Sequence, residues 1–303
     1  MTASRVCAAM LAAALSLAPV QGRAAESPSY AAYAQGRYLT ALRLAEQEAA
    51  QGSKEAYTLM GEIYSGGLGV AQDYGKAADA YAKAADLGDA NAQLSLGLMV
   101  AEGLGVKKDL RLAAGLFEKA AESGNPAAQY NLALVYVQGK GRPADEAKAA
   151  QWMEKAAAAG NPQAQYDLGA LYQFGRGVPL DKKKAAEWTA RAADAGLADA
   201  QVEYGVMLFK GQGVAVDEAR AAKLFRLAAE QGNAVAQNRL ARLYANGAAV
   251  KADSVQAAKW HLLARAAGVS DFSLDIVLSK LTPEERAKAE DAAENWRSER
   301  LSE

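Results

Sequence analysis

Histidine and cysteine, which supply many catalytic nucleophiles, general bases and metal ligands, are nearly absent from this 303-residue sequence. It contains one histidine, His261, and one cysteine, Cys7. Cys7 lies in an N-terminal segment that we expect to be removed from the mature chain. We therefore expect neither one of the usual hydrolase triads nor a Cys/His metal site, and we expect no cofactor.

The other residues that could do chemistry are carboxylates and paired glycines, and both recur along the chain. Pairs such as Gly103-Leu-Gly105 and Gly211-Gln-Gly213 look like phosphate-binding loops, but they follow helical rather than strand patterns, which indicates turns. An aspartate recurs where its carboxylate would cap the N-terminus of a helix. It is found at Asp73, Asp109, Asp145, Asp181, Asp217 and Asp253. The sequence therefore predicts a protein that is not an enzyme and has no catalytic residues.

These residues recur because a 36-residue unit occurs six times without insertion or deletion. The glycines that close the units are Gly88, Gly124, Gly160, Gly196, Gly232 and Gly268. A fixed period of this length is the signature of a solenoid of stacked repeats. The predicted units are residues 53–88, 89–124, 125–160, 161–196, 197–232 and 233–268.

Each unit is predicted to be a hairpin of two short antiparallel helices. In the fourth unit Ala164, Leu168 and Tyr172 follow one another at steps of four, which is the spacing of one helix face. Residues 174–179 (Phe-Gly-Arg-Gly-Val-Pro) then end the helix, because glycine permits positive φ and proline lacks a backbone donor. An alanine-rich second helix follows.

His261 falls on the second helix of the sixth unit. The other units fill the same position with Tyr81, Phe117, Met153, Thr189 and Phe225. Because most of these side chains are large and apolar, we predict that His261 packs between the helices and has no catalytic role.

The unit reads Ala-x-x-x-Leu-Gly-x-x-Tyr-x-x-Gly-x-Gly-Val-x-x-Asp-x-x-Lys-Ala-Ala-x-Trp and resembles the Sel-one-like (Sel1-like) repeat, a longer-looped relative of the tetratricopeptide repeat. The resemblance covers residues 53–269. The third unit departs from it at Arg142, where the others have valine, and the sixth has Ala249 in place of the second loop glycine. The predicted fold is all-α: a right-handed α-solenoid (superhelix) of six helix hairpins with an N-terminal half-repeat and a C-terminal helical cap.

The resemblance also implies a function. Sel-one-like proteins act as adaptors or scaffolds in envelope signalling, cell-wall-associated complexes and host interaction, so we expect an exported scaffold that binds a protein or peptide partner in a concave groove. One alternative is a secreted effector that engages a host protein. Another is a hydrolase acting on cell-wall or β-lactam substrates, an activity proposed for cysteine-rich relatives whose disulfides this chain lacks.

Helix geometry predicts which side chains would line that groove. With Ala164 at the centre of the packed face, a rotation of 100° per residue places Tyr166 and Gln173 on the opposite side. The stripe, which is mostly apolar, comprises Leu94, Leu98, Tyr130, Leu134, Val137, Tyr166, Gln173, Val202, Val206 and Phe209. The outer units hold mostly polar residues there, such as Glu62 and Arg242. We interpret the stripe as a partner-binding groove, with inter-repeat core as the alternative.

Residues 1–24 have the pattern of a cleaved secretory signal peptide, which predicts a periplasmic or secreted protein with no stable membrane anchor. Arg5 precedes an apolar run, residues 6–20, that is too short to span a membrane, and small residues follow at Gly22 and Ala24. Removing Arg5 and Arg23 leaves 32 basic against 35 acidic residues, which argues against a nucleic-acid partner.

The two ends of the repeat array are predicted to be caps. Residues 25–52 carry a half-repeat with a shortened loop, and residues 269–303 form capping helices, the last of which starts at the capping box Thr282-Pro-Glu-Glu285. Ala289, Ala292 and Trp296 form the apolar stripe predicted for that helix. The sequence leaves the oligomeric state open, and we favour a monomer in which Trp296 covers the last repeat.

Overall fold

The computed structural model describes residues 27–301, which form sixteen α-helices and no β-strand. The first two are α1 (Pro28–Ala34) and α2 (Tyr38–Ala50). The repeats supply α3 (Lys54–Gly66), α4 (Tyr74–Asp86), α5 (Ala90–Glu102), α6 (Leu110–Glu122), α7 (Pro126–Gln138), α8 (Glu146–Ala158), α9 (Pro162–Phe174), α10 (Lys182–Asp194), α11 (Ala198–Lys210), α12 (Glu218–Glu230), α13 (Ala234–Asn246) and α14 (Ser254–Ala266). They are followed by α15 (Phe272–Ser279) and α16 (Pro283–Leu301). The predicted all-α solenoid class with 36-residue helix hairpins is confirmed, and the predicted signal peptide lies outside the described residues.

The chain divides into two compact units, with the boundary between Ser123 and Gly124. Helices α1 to α6 belong to the first unit, and α7 to α16 belong to the second. Within the first unit each helix packs against the next one along the chain. The same holds from α7 to α15 in the second unit, where α16 packs against α14.

Each second helix of a repeat begins at the predicted aspartate cap. Oδ1 of Asp181 accepts hydrogen bonds from the backbone N–H groups of Lys183 and Lys184, at 3.0 Å each. The aspartates of the other five repeats cap their helices in the same way. The preceding first helices end at a glycine in the left-handed conformation, such as Gly175 with φ +66°. The Gly-x-Gly loops are therefore turns between two helices, as predicted.

The two helices of a hairpin approach closely where the first one has a small residue. A Cβ on Gly205 would lie 2.6 Å from the ring of Phe225, so only glycine leaves room for that ring. In the sixth repeat the equivalent positions are Ala241 and His261, and both side chains are 0% exposed. The packing role predicted for His261 is confirmed.

Successive repeats are joined by a buried glutamine near the start of the first helix. Nε2 of Gln165 donates a hydrogen bond to the carbonyl oxygen of Ala157, near the end of the preceding helix, at 3.1 Å. Gln201 and Gln237 make the equivalent contact one and two repeats later. The amide therefore gives the Ala157 carbonyl oxygen a second hydrogen bond, beside the one it accepts from the backbone N–H of Gly160 at 3.1 Å.

The second loop glycine lies against the preceding repeat. Gly177 has φ +68° and Gly213 has φ +72°, and a Cβ on either would overlap the backbone of the previous second helix. In the sixth repeat this position is Ala249, which keeps the left-handed conformation with φ +58°. It is the one non-glycine residue of the 27–301 region with a positive φ.

Ala249→Gly is expected to raise the free energy of unfolding by about 1 kcal/mol. Glycine removes the cost of the left-handed conformation, which is roughly 1–2 kcal/mol for an L-residue. Part of this gain is offset because glycine has more conformational entropy than alanine in the unfolded chain. Urea unfolding followed by tryptophan fluorescence measures the change, since all four tryptophans lie in the second unit. Ala248→Gly is the control and should be slightly destabilising, because Ala248 does not have a positive φ. A glycine variant at position 249 no more stable than the parent would contradict the prediction.

Helices α15 and α16 cover the last repeat. Trp296 of α16 packs edge-on against Trp260 of α14, with ring centroids 6.2 Å apart. α16 buries Ala289 and Ala293, whereas Ala292 of the predicted stripe is only half-buried. Steps of three and of four both keep residues on one helix face, and the tighter packing of Ala293 than of Ala292 shows which of the two lies closer to α14.

Two carboxylates hold α15 in place. Asp271 accepts hydrogen bonds from Arg242 Nε at 2.6 Å and from Asn238 Nδ2 at 3.0 Å, both on α13. Burial would raise the pKa of Asp271, but these hydrogen bonds outweigh it and lower the pKa. Asp275 Oδ1 lies 2.8 Å from Nε2 of His261, so the single histidine also joins α14 to α15.

Candidate partner-binding surface

The ten residues predicted to line a groove are divided between the two compact units. Leu94 and Leu98 lie on α5 of the first unit and are half-buried. The other eight lie on the first helices α7, α9 and α11 of the second unit. Within that unit Leu134 and Val202 are only 9% exposed, Tyr130, Val137, Tyr166, Gln173 and Val206 are half-buried, and Phe209 is exposed.

Several of these side chains pack against the core of the second unit. Leu134 and Val202 belong to buried hydrophobic clusters, and Tyr130, Tyr166 and Val206 pack against one of them. The inter-repeat core that the sequence left open therefore accounts for much of the apolar character of the stripe. A binding role for these residues stays a prediction.

Beside the apolar stripe runs a row of polar residues that sequence reasoning missed. We call it the first-helix ladder, and it comprises Asn131, Asp167, Glu203 and Arg239, one residue per repeat at 36-residue intervals on α7, α9, α11 and α13. All four are half-buried. The recurrence of charged residues at one repeat position in the fourth to sixth repeats was the signal that could have identified it.

One hydrogen bond to the ladder connects two of the first helices, α7 and α9. The hydroxyl group of Tyr130 on α7 donates a hydrogen bond to Oδ2 of Asp167 on α9, at 2.9 Å. Nε2 of Gln163 is 3.4 Å from the other carboxylate oxygen of Asp167. The two tyrosines of the stripe therefore differ, because Tyr130 holds a ladder residue while Tyr166 makes no hydrogen bond of that kind.

Burial shapes the electrostatics of the ladder. It raises the pKa of Asp167 to about 6, although the hydrogen bonds from Tyr130 and Gln163 act in the opposite direction. Burial, followed by the negative charges of Glu203 and Asp199, raises the pKa of Tyr166 to about 12. Asp167 is therefore largely ionised at neutral pH in a site that disfavours its charge.

The cationic end of the ladder is also incompletely satisfied. Nε of Arg239 is buried and has no hydrogen-bond partner, and its guanidinium group lies 5.7 Å from the ring centroid of Phe225. Burial lowers the pKa of Arg239, and the nearby charge of Glu203 partly restores it. An unpaired buried donor costs free energy, so the ladder carries polar groups that the fold alone does not satisfy.

A second perturbed carboxyl group lies in the first compact unit. Burial, with a further contribution from the charge of Asp89, raises the pKa of Glu62 to about 7. The charge of Glu62 also contributes to raising the pKa of Tyr30, whose main cause is burial. Glu62 belongs to the first compact unit and Asp167 to the second.

Between residues 27 and 301 no helix is long and apolar enough to cross a membrane. The same residues contain no group of three or more histidine, cysteine or acidic side chains that could hold a metal ion.

The chain is similar to solved structures of other repeat proteins. The chain resembles a Sel1 repeat protein from Oxalobacter formigenes of known structure, with 29% identity and a TM-score of 0.69 over 80% of this chain and 97% of the other. It also resembles c5321, a protective antigen of uropathogenic Escherichia coli with an SLR fold, with 29% identity and a TM-score of 0.55 over 90% of this chain and 69% of the other. No curated protein matches the sequence.

The model of the Sel1 repeat matches six consecutive segments, at residues 54–89, 90–125, 126–161, 162–197, 198–233 and 234–269. Each segment starts one residue after the corresponding unit read from the sequence. Sel1-repeat proteins generally act as protein–protein interaction scaffolds and are not typically enzymes. Because the six segments cover more than half of its length, the chain belongs to the Sel1 repeat family.

Proposed function

We propose that this protein is an exported scaffold that holds a segment of a partner protein against the first-helix ladder of its second unit. Membership of a family of interaction scaffolds supports the class of function. The signal-peptide pattern of residues 1–24 supports export, and with it a role in envelope signalling or cell-wall-associated complexes.

The proposal rests on the charged residues of the ladder, which occupy a repeat position that other repeats fill with uncharged residues. The position of Asp167 is held by Leu59, Ser95 and Asn131 in the first three repeats, so no charge is required for the hairpin to form. Asp167 is nevertheless ionised at neutral pH against the effect of burial. Groups held in an unfavourable state at a surface are typical of binding sites, because a partner can supply the missing interaction.

The order of charges indicates the chemistry of the partner. Asp167 and Glu203 would favour lysine or arginine side chains, and Arg239 with its unpartnered Nε would favour a carboxylate or carbonyl oxygen. A partner segment running along the ladder would thus carry basic residues at one end and an acceptor at the other. Charge complementarity of this kind sets register and selects among partners.

Photo-crosslinking in the producing cells tests the proposal. p-Azidophenylalanine at Tyr166 is nearly the same shape as the native side chain, and the same residue at the exposed Glu187 of α10 is the control. We expect a discrete crosslinked protein from position 166 that is absent at position 187. Its yield should fall about tenfold when Asp167→Asn and Glu203→Gln are combined, since each lost charge pair weakens binding by about 1 kcal/mol or more.

Crosslinking from position 166 no stronger than from position 187 would contradict the proposal. So would an unchanged crosslinking yield in the variant that combines Asp167→Asn and Glu203→Gln. Separating periplasmic contents from the culture medium in the same experiment tests the location. Crosslinked product only in the medium would favour a secreted effector over an envelope scaffold.

A further inference from the structure

A second surface of the same unit lies at the turns that join α9 to α10 and α11 to α12. Three large apolar side chains are exposed there: Phe174 is 63% exposed, Leu180 is 62% exposed and Val216 is 61% exposed. We call these three residues, together with Lys182, Lys183 and Lys210, the loop edge. Exposing large apolar side chains to water is unfavourable, so their presence at neighbouring turns calls for a physical explanation.

The other repeats show that the architecture does not need these side chains. The position of Phe174 is held elsewhere by Gly66, Glu102, Gln138, Lys210 and Asn246. The position of Leu180 and Val216 is held elsewhere by Gln72, Lys108, Ala144 and Ala252. Hairpins with small or polar residues at both positions have the same helix lengths as the fourth and fifth ones. The apolar residues are therefore dispensable for the hairpin.

A cleft lies beside Phe174, with a volume of about 220 Å³. It is lined by Gln173, Phe174, Lys182, Ala185, Met207 and Gln212, which come from the end of α9, the start of α10, α11 and the following turn. The volume is below that of typical small-molecule sites and suits one apolar side chain of a larger ligand. Gln173, predicted from the sequence to line the groove, lies in this cleft.

Lys182 is the one charged side chain that lines the cleft, and Lys183 and Lys210 are the other two lysines of the loop edge. Lys182, Lys183 and Lys210 are exposed, and none of them forms an ion pair with another described residue. Asp181 and Asp217, which precede α10 and α12, accept hydrogen bonds from the backbone of those helices as N-caps. The edge therefore offers three free ammonium groups next to exposed apolar side chains.

The lysines of α10 are also unfavourable for their own helix. The helix begins with three consecutive lysines and has no acidic residue in its first turn, although the N-terminus of a helix carries a partial positive charge. Its neighbours α8 and α12 begin with Glu146 and Glu218, which complement that charge. The lysines in the first turn of α10 therefore destabilise that helix. Residues that lower local stability are often found at binding sites.

We propose that the loop edge binds an acidic peptide segment of a partner protein, with one apolar side chain of the segment in the cleft and its carboxylates against Lys182, Lys183 and Lys210. The opposite charge preference separates this surface from the first-helix ladder, whose carboxylates favour basic residues. An anionic membrane would be attracted by the same lysines, but the cleft, which suits a single side chain, favours a peptide.

Selection from a library of random short peptides displayed on phage tests this proposal without presupposing a sequence. The library is panned on the protein after depletion on the double variant Phe174→Ser/Leu180→Ser, whose substitutions affect only exposed side chains. We expect the recovered peptides to combine aspartate or glutamate with leucine, phenylalanine or tryptophan. A labelled peptide from this pool should bind about tenfold more weakly to Lys182→Glu/Lys183→Glu in a fluorescence anisotropy titration, because two attractive charges become repulsive.

Two controls complete the design. Lys140→Glu/Lys223→Glu makes the same change of charge at exposed lysines that do not line the cleft and should leave the affinity within about twofold. Asp167→Asn/Glu203→Gln should also leave the peptide affinity unchanged, so the proposals for the loop edge and for the first-helix ladder are tested separately. Circular dichroism establishes that each variant is folded.

The proposal is overturned if no acidic, apolar peptides are enriched, or if their binding is the same in the lysine variants. It is also overturned if phosphatidylglycerol vesicles bind the protein with the same dependence on Phe174 and Leu180 while no peptide is recovered. That result would assign the edge to a membrane surface.

Discussion

Gly213→Ala is expected to lower the free energy of unfolding of the second unit by roughly 2–5 kcal/mol. Gly213 has φ +72°, which costs an L-residue about 1–2 kcal/mol. An added Cβ would also overlap the carbonyl oxygen of Lys182 in the preceding repeat. Because this oxygen belongs to the backbone of α10, it cannot rotate away as a side chain could, and the strain adds a further cost of about 1–3 kcal/mol.

Gly196→Ala is the matched control for this substitution. Gly196 has φ +91°, but a Cβ there would meet no atom within 4 Å. Its variant should therefore lose only the conformational cost, about 1–2 kcal/mol. Urea unfolding followed by tryptophan fluorescence compares the two variants within the second unit. Equal losses would contradict the prediction, because they would mean that the added Cβ at position 213 is accommodated beside α10 at no cost.

Asp167→Asn is expected to stabilise the protein at pH 7 by roughly 2 kcal/mol and to have little effect near pH 4. Burial raises the folded-state pKa of Asp167 to about 6, above an unfolded value near 4. The folded state therefore binds more protons than the unfolded state between these two values. Stability must then fall as the pH rises from about 4 to about 6 and stay constant above it. Asparagine removes this loss and keeps an oxygen that can accept the hydrogen bond from Tyr130.

The measurement is the free energy of unfolding of parent and variant at several pH values between 4 and 8. Glu187→Gln, at an exposed carboxylate of the neighbouring helix α10, is the control and should change stability by less than about 0.5 kcal/mol at any pH. Parallel pH profiles for the parent and Asp167→Asn would contradict the prediction, since they would mean that Asp167 does not titrate differently in the two states.

The same substitution separates stability from function. If the ladder binds a basic segment, Asp167→Asn should give a more stable protein that captures its partner less well. Such an opposition is common where binding requires a charge that the fold alone would not keep. A gain in stability with unchanged crosslinking from position 166 would instead indicate that the carboxylate has no part in binding.

The local features of this protein could be predicted from its sequence because each depends on residues close together in the chain. The aspartate caps involve backbone groups two or three residues away, and the turn glycines depend on their own φ angles. The strict period then places His261 in a position that other repeats fill with packing side chains. Period, helices, caps and turns therefore follow from short-range rules applied six times.

Contacts between repeats required the folded structure. Tyr130 and Asp167 are 37 residues apart, and nothing in either local sequence indicates that the phenol and the carboxylate meet. Leu134 and Val202 were expected at a groove but are buried, because the face that a helix presents depends on how closely the next hairpin packs against it. The exposed Phe174 and its cleft depend in the same way on the neighbouring repeat. The repeat pattern of the sequence therefore predicts the helical scaffold. Which side chains remain accessible to a partner depends on how neighbouring repeats pack against each other.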